Sequence, residues 1–430
     1  MVPINSNYSI AIDNATTANF IIVQAGFYAV DTFFWMSGFL AAYLFITEIE
    51  KNKNLYLLKI FLAILHRFLR IIPVYMFCLF FFWTLQKHLG SGPGYVLIDE
   101  FFNGDCQDYW YTNLIFLNNF IPEGRGSGCV EVGWYLANDM QFFIVASIIF
   151  VLYIKTSRVL GWVLIILMCI IGCVSAGIVA HLHELNTIIF AIDKCQEYIE
   201  YYYTKPYTRS PPYFLGIICG MILYTVKHYK ENSVVYDKLA HKIVKSCENA
   251  FFRYSVFLIG WGIVNVFIFT EFNTFNKPGS SYDFSYWTGN ENAIYMTFNR
   301  FGFGLGLSMV LLPLLLGYFR PISQFMLLYP WCILAKLTFA VYLIHLPIME
   351  IVWKSQGSSY NYGVYLNIQN TVYFFVLSNF FAVPIVFGIE MPTVNLEKLV
   401  FYQNKHEKTS SGHTEDIEHH SFKLNETSHH

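Results

Sequence analysis

A chain of 430 residues with 55% hydrophobic, 19% aromatic and 13% charged residues is too apolar for an ordinary water-soluble domain. Its net charge of −2 gives no electrostatic reason to expect a nucleic-acid partner. The apolar residues fall in blocks of about 20, the length that crosses a hydrocarbon core as one helix, so the expected fold is an all-α polytopic membrane bundle.

Residues 1–26 hold no Lys or Arg, and the first basic residue is Lys51, so the chain shows no basic leader of a secretory signal peptide. The first apolar block must direct insertion itself. With its basic flank on the C-terminal side, it leaves the segment 1–26 outside the cytosol. About nine spans are expected: 27–46, 69–86, 134–153, 159–180, 211–226, 254–270, 299–318, 332–353 and 371–390. Segment 55–65 is too short to cross and is expected to lie at the interface. Nine crossings place 19 of the 27 Lys and Arg on the cytosolic side, the sign of the positive-inside rule. Sequons at Asn7 and Asn14 fall on the outer side and one at Asn425 in the cytosolic tail. The membrane unit covers 27–400, and the polar tail 401–430 is expected to be disordered.

Within these blocks the polar residues are the candidates for function, since an ionisable group in a span is costly. Asp31, with Ser37 close behind it in Asp31-Thr32-Phe33-Phe34-Trp35-Met36-Ser37-Gly38, lies in the first span. In His66-Arg67-Phe68-Leu69-Arg70-Ile71-Ile72-Pro73, Arg67 and Arg70 share a helix face where the chain enters the membrane. Such a pair either grips phosphates bidentately or anchors a helix end among lipid headgroups. The next loop holds Cys106 and Cys129, which can pair, and leads to Trp134-Tyr135-Leu136-Ala137-Asn138-Asp139. Asp139 either answers the dipole of a helix start or faces a cavity in the bundle. The prolines of Lys205-Pro206-Tyr207-Thr208-Arg209-Ser210-Pro211-Pro212 suit a helix N-terminus. The run Gly302-x-Gly304-x-Gly306 reads as close helix packing rather than a nucleotide loop. In Tyr342-Leu343-Ile344-His345-Leu346-Pro347, the proline opens the helix beside a histidine, which is either structural or a proton acceptor. The histidine pairs of the tail are read as solvated rather than metal-binding.

From Gly26 to Lys398 these motifs, in this order, resemble the acyltransferase-3 membrane family, in its eukaryotic branch similar to nose-resistant-to-fluoxetine proteins. The resemblance implies transfer of an acyl group from acyl-CoA, as co-substrate, to a hydroxyl of a lipid or glycan. On that likeness Arg67 and Arg70 hold the CoA phosphates, Asp31, Ser37, Trp134 and Asp139 line the substrate cavity, and no metal is needed. The partners implied are membrane lipid, acyl-CoA and a small-molecule, lipid or glycan acceptor, in the endoplasmic reticulum or plasma membrane. The family also resembles itself in a preceding helix that carries a catalytic histidine, and residues 1–26 contain none. Either that helix is lost from an otherwise whole enzyme, which is the expectation here, or the chain is a non-catalytic lipid-binding or lipid-transport relative, or His345 supplies the base.

Overall fold

A computed structural model describes residues 23, 25–51, 56–92, 95, 106–123, 129–187, 194–231, 238–270, 287–357 and 363–399. The expectations for 1–22, for the sequons and for the tail beyond 400 lie outside the described residues. Among those described there is no strand; the chain is a bundle of helices. We number its long helices α1 (Phe27–Lys51), α2 (Tyr56–Leu85), α3 (Gly133–Lys155), α4 (Arg158–Leu182), α5 (Pro206–Glu231), α6 (Ala250–Thr270), α7 (Gly289–Leu315), α8 (Tyr329–Lys354) and α9 (Val364–Ile385).

Eight of these helices are long and apolar enough to cross a membrane, α9 continuing to Leu399. The exception is α5, whose first turns carry Pro206, Thr208, Arg209, Pro211 and Pro212. Its 26 residues make it roughly 39 Å long, and it is buried along almost its whole length among α1, α4 and α7. A helix so shielded from lipid does not need an apolar surface.

Two expectations are corrected. Segment 55–65 is not a separate interfacial helix; it is the start of α2, which runs unbroken for 30 residues. Nothing between Tyr56 and Ile72 breaks a helix, and Pro73 is accommodated inside it. Arg67 therefore sits roughly 16 Å along one continuous helix. Nor do Pro211 and Pro212 mark a helix start: α5 begins at Pro206 and both lie in its interior. Each frees a carbonyl four residues back, and other helices supply the missing donors. Ser175 Oγ on α4 donates to the Tyr207 carbonyl. Arg300 Nη1 on α7 donates to the Thr208 carbonyl at 2.9 Å.

The closest helix pair is α1 with α5. Without a hydrophobic force between helices in lipid, small residues decide how near two backbones come. Gly216 and Gly220 of α5 meet the α1 backbone at the Trp35 and Phe39 carbonyls, and Gly38 of α1 meets the Tyr213 carbonyl. A methyl at Gly216 would collide with the Trp35 carbonyl, whereas one at Gly262 on α6 meets nothing within 4 Å. Gly216→Ala should cost about 1–3 kcal/mol, the usual penalty of overpacking. Thermal unfolding in detergent should show that loss, with Gly262→Ala as stable as the unaltered protein or slightly more so.

Candidate functional site

Asp31 and Ser37 are six residues apart on α1, roughly 9 Å along the axis, and they face different helices. Asp31, like Gly38 one heptad later, faces α5. Its carboxylate accepts a 2.7 Å hydrogen bond from Arg209 Nη1, with the two side chains only 2% and 1% exposed. The guanidinium also donates from Nε to the Tyr203 carbonyl at 3.0 Å and lies over the rings of Tyr203 and Trp134. Arg209 thus finds a counter-charge, a carbonyl and two aromatic faces in a buried place, so breaking the pair would strand a buried charge.

Ser37 belongs to a second cluster. Its Oγ donates to Asp139 Oδ1 of α3 at 2.6 Å and accepts from Arg67 Nη2 of α2 at 2.8 Å. The same Nη2 closes an ion pair with Asp139 Oδ2, so three residues on three helices form one ring of contacts. Arg67 lies 4.6 Å from the Phe143 ring centroid. Two polar atoms beside the ring are buried without a partner, Arg67 Nε and the Tyr213 hydroxyl, the latter facing Ser37 outside hydrogen-bond geometry. Asp139, in the second turn of α3, pairs with Arg67 and Ser37, a partnership that neither reading of it named.

Aromatic rings fill the space between the two clusters. Tyr135 packs on Phe34 at 4.7 Å and on Tyr342 at 5.3 Å, and Tyr342 lies 5.9 Å from the His345 ring. His345 makes no side-chain contact with either ion pair. Its Nδ1 lies 2.7 Å from the Tyr342 carbonyl and 3.2 Å from that of Val341. Carbonyls only accept, so Nδ1 carries the proton in the neutral ring and the Nε2 lone pair is left available. Arg70, one turn beyond Arg67, is exposed and has no ion pair among the described residues, although the Glu390 carboxyl feels its charge. The seven candidate residues therefore fall into Asp31 with Trp134, Ser37 with Arg67 and Asp139, and Arg70 and His345 each apart.

A third polar layer lies beyond α3. Asn119 donates to Asn138 Oδ1 at 2.6 Å, Asn138 donates to the Thr204 carbonyl at 3.0 Å, and Lys205 Nζ donates to the Asn119 carbonyl at 2.6 Å. Burial pulls the Lys205 ammonium below its ordinary pKa. Among the described residues no group of three His, Cys, Asp or Glu is placed to hold a metal.

Residues 2–391 match the model of the acyltransferase-3 acyltransferase domain. The chain belongs to this family. It is also similar to nose resistant to fluoxetine protein 6 of Caenorhabditis elegans, 25% identical over 415 residues, 92% of this chain and 48% of that protein. The chain thus spans about half the length of that relative. No solved structure matches.

Sequence reasoning missed Arg209 and Arg300 as partners. Arg300 carried a usable signal, because it lies inside an expected span and an intramembrane cation needs an explanation. Arg209 stands two residues before the expected span 211–226, where a cation needs no explanation. The pairing of Asp31 with Arg209 spans 178 positions, and nothing local in the sequence encodes it.

Removing one partner of the Asp31–Arg209 pair should be costly, and removing both should be mild. Asp31→Leu or Arg209→Met alone should lower stability in detergent by about 3–5 kcal/mol. The double variant should recover most of that loss in the same thermal unfolding assay.

Proposed function

We propose that this family member is an integral membrane O-acyltransferase that moves an acyl group from acyl-CoA to a hydroxyl of a lipid or glycan. The observation that carries the reading is Arg70: an exposed guanidinium midway along an apolar helix, one turn from the half-buried Arg67, which Asp139 already neutralises. A cation exposed among apolar side chains of a spanning helix is costly unless an anion meets it. The phosphates of CoA are anions of the right chemistry, which an arginine binds bidentately. In this reading the two arginines divide the work. Arg67 is held by Asp139 and positions α2, and Arg70 makes the phosphate contact. The Cys106–Cys129 disulfide supports placing that loop, and with it the N-terminus, outside the cytosol of the endoplasmic reticulum or plasma membrane.

The chemistry is a single displacement. The acceptor oxygen attacks the thioester carbonyl, a C–O bond forms, the C–S bond breaks, and CoA leaves as the thiol. The hydroxyl proton has to move toward the departing sulfur. His345 is suited to pass it on, because its Nδ1–H is held by two carbonyls and its Nε2 is unencumbered.

Purified protein in phosphatidylcholine nanodiscs, incubated with radiolabelled acetyl-CoA or palmitoyl-CoA and a membrane lipid extract, should transfer label to a lipid or glycan. Arg70→Ala should weaken acyl-CoA binding by about 1.5–3 kcal/mol without unfolding the protein, the scale of a hydrogen bond to a charged group. His345→Ala should leave binding intact and lower turnover by about 10²–10⁴-fold. Absence of transfer to any acceptor, with acyl-CoA binding unaffected by Arg70→Ala, would remove the reading.

A further inference from the structure

A groove of about 430 Å³ opens between helices of the bundle, and none of its lining residues belongs to either ion pair. Three helices wall it: α2 through Phe77, Cys78, Phe81 and Phe82, α8 through Ile344 and Ile348, and α9 through Leu377 and Phe381. No lining side chain is charged, and none offers a hydrogen-bonding oxygen or nitrogen. At Cys78 and Phe82 the groove meets a second, smaller pocket of about 20 Å³, beside the Cys106–Cys129 disulfide. That pocket is otherwise apolar except for two carboxylates, Glu131 and Glu350. Its volume holds one water-sized group.

The two ends ask for different chemistry. Glu350 accepts from Gln86 Nε2 and from Lys354 Nζ, both at 3.5 Å. Gln86 is 1% exposed, and its own Oε1 is buried with no donor. Gln86 Oε1 thus lies without a donor beside Glu350, and Glu131, an exposed residue of the pocket lining, adds a second carboxylate. Two carboxylates against the single Lys354 ammonium leave a net negative charge that disfavours an anionic headgroup, whereas a hydroxyl would be a donor of the size the pocket admits. The groove itself is the shape of a chain and not of a helix. A membrane-spanning helix about 10 Å across and 30 Å long displaces on the order of 2,000 Å³, several times the room available.

We propose that this groove binds one hydrocarbon chain of an uncharged, hydroxyl-bearing lipid, with a head-group hydroxyl in the pocket of Glu131 and Glu350. A chain gains little by leaving bilayer hydrocarbon for a protein groove, so the head-group contacts carry the selectivity. The further assignment of this lipid as acyl acceptor rests on the transferase reading; its occupancy of the groove does not.

The test uses the full chain in phosphatidylcholine nanodiscs. The probes are a palmitoyl monoglyceride with a diazirine near the chain end and a lysophosphatidate with the same chain. After photolysis, mass spectrometry should place the monoglyceride on Phe81, Ile348 and Phe381 in preference to the outward-facing Leu258 and Phe380. Lysophosphatidate should label the groove roughly tenfold less. Ile351→Trp and Leu377→Trp, two separate ways of filling the groove, should each lower its labelling by roughly tenfold while Leu258 and Phe380 stay unchanged. Glu350→Gln should narrow the difference between the probes. Equal labelling of groove and outward positions would overturn the proposal, as would equal labelling by both probes or a crosslink of the groove to a polypeptide segment. Groove labelling in a protein that transfers no acyl group and whose acyl-CoA binding is unaffected by Arg70→Ala would retire the transferase reading and leave the lipid site standing.

Discussion

Charge buried in hydrocarbon has to be matched within the bundle, and this constraint organises the structure around α1. That helix supplies one carboxylate, Asp31, and one hydroxyl, Ser37, to two different neighbours. Asp31 fixes α5 against it, and Ser37 joins the Arg67–Asp139 pair that fixes α2 to α3. Packing alone would let apolar helices slide in lipid, because their surfaces and the acyl tails are equally greasy. A short ion pair with two or three further hydrogen bonds does not slide. Glycines make this possible: the close approach of α1 and α5 at Gly38 and Gly216 brings Arg209 within reach of Asp31.

The same constraint explains features that look unrelated. Two consecutive prolines in α5 open its backbone inside the bundle, and the carbonyls they free are met by Ser175 and Arg300. Arg300 is therefore a buried cation that also serves as a backbone plug, and its guanidinium lies 4.0 Å from the Tyr202 ring centroid. Arg70 breaks the pattern, since it stays exposed where its neighbours are satisfied. Exposed and without an ion pair among the described residues, Arg70 is the natural place for an anionic substrate to enter the account.

Much of this was legible in the sequence, and the misses have physical causes. Blocks of apolar residues located the long helices because length and hydropathy are local quantities. The family motifs survived as contiguous words, and the cost of charge in lipid singled out Asp31 and Asp139. The continuity of α2 was missed because a short apolar segment followed by basic residues reads the same at an interface as inside a longer helix. The partner of each charge was missed for a different reason. Asp31 and Arg209, or Ser37 and Asp139, are joined only by tertiary packing, and without the fold a hydroxyl six residues from an acid is naturally read as sharing its cavity. The apolar groove left no sequence signal, because a residue facing a groove and one facing lipid have the same composition.

A double-mutant cycle on Arg67 and Asp139 tests the central claim most directly. Arg67→Met, Asp139→Leu and the double variant would be compared by thermal unfolding in detergent. If an ion pair between α2 and α3 holds the core, each single change costs about 3–5 kcal/mol and the double change costs much less than their sum. Costs that simply add, with no coupling beyond about 0.5 kcal/mol, would mean that the two residues do not meet in the folded protein, contradicting the account.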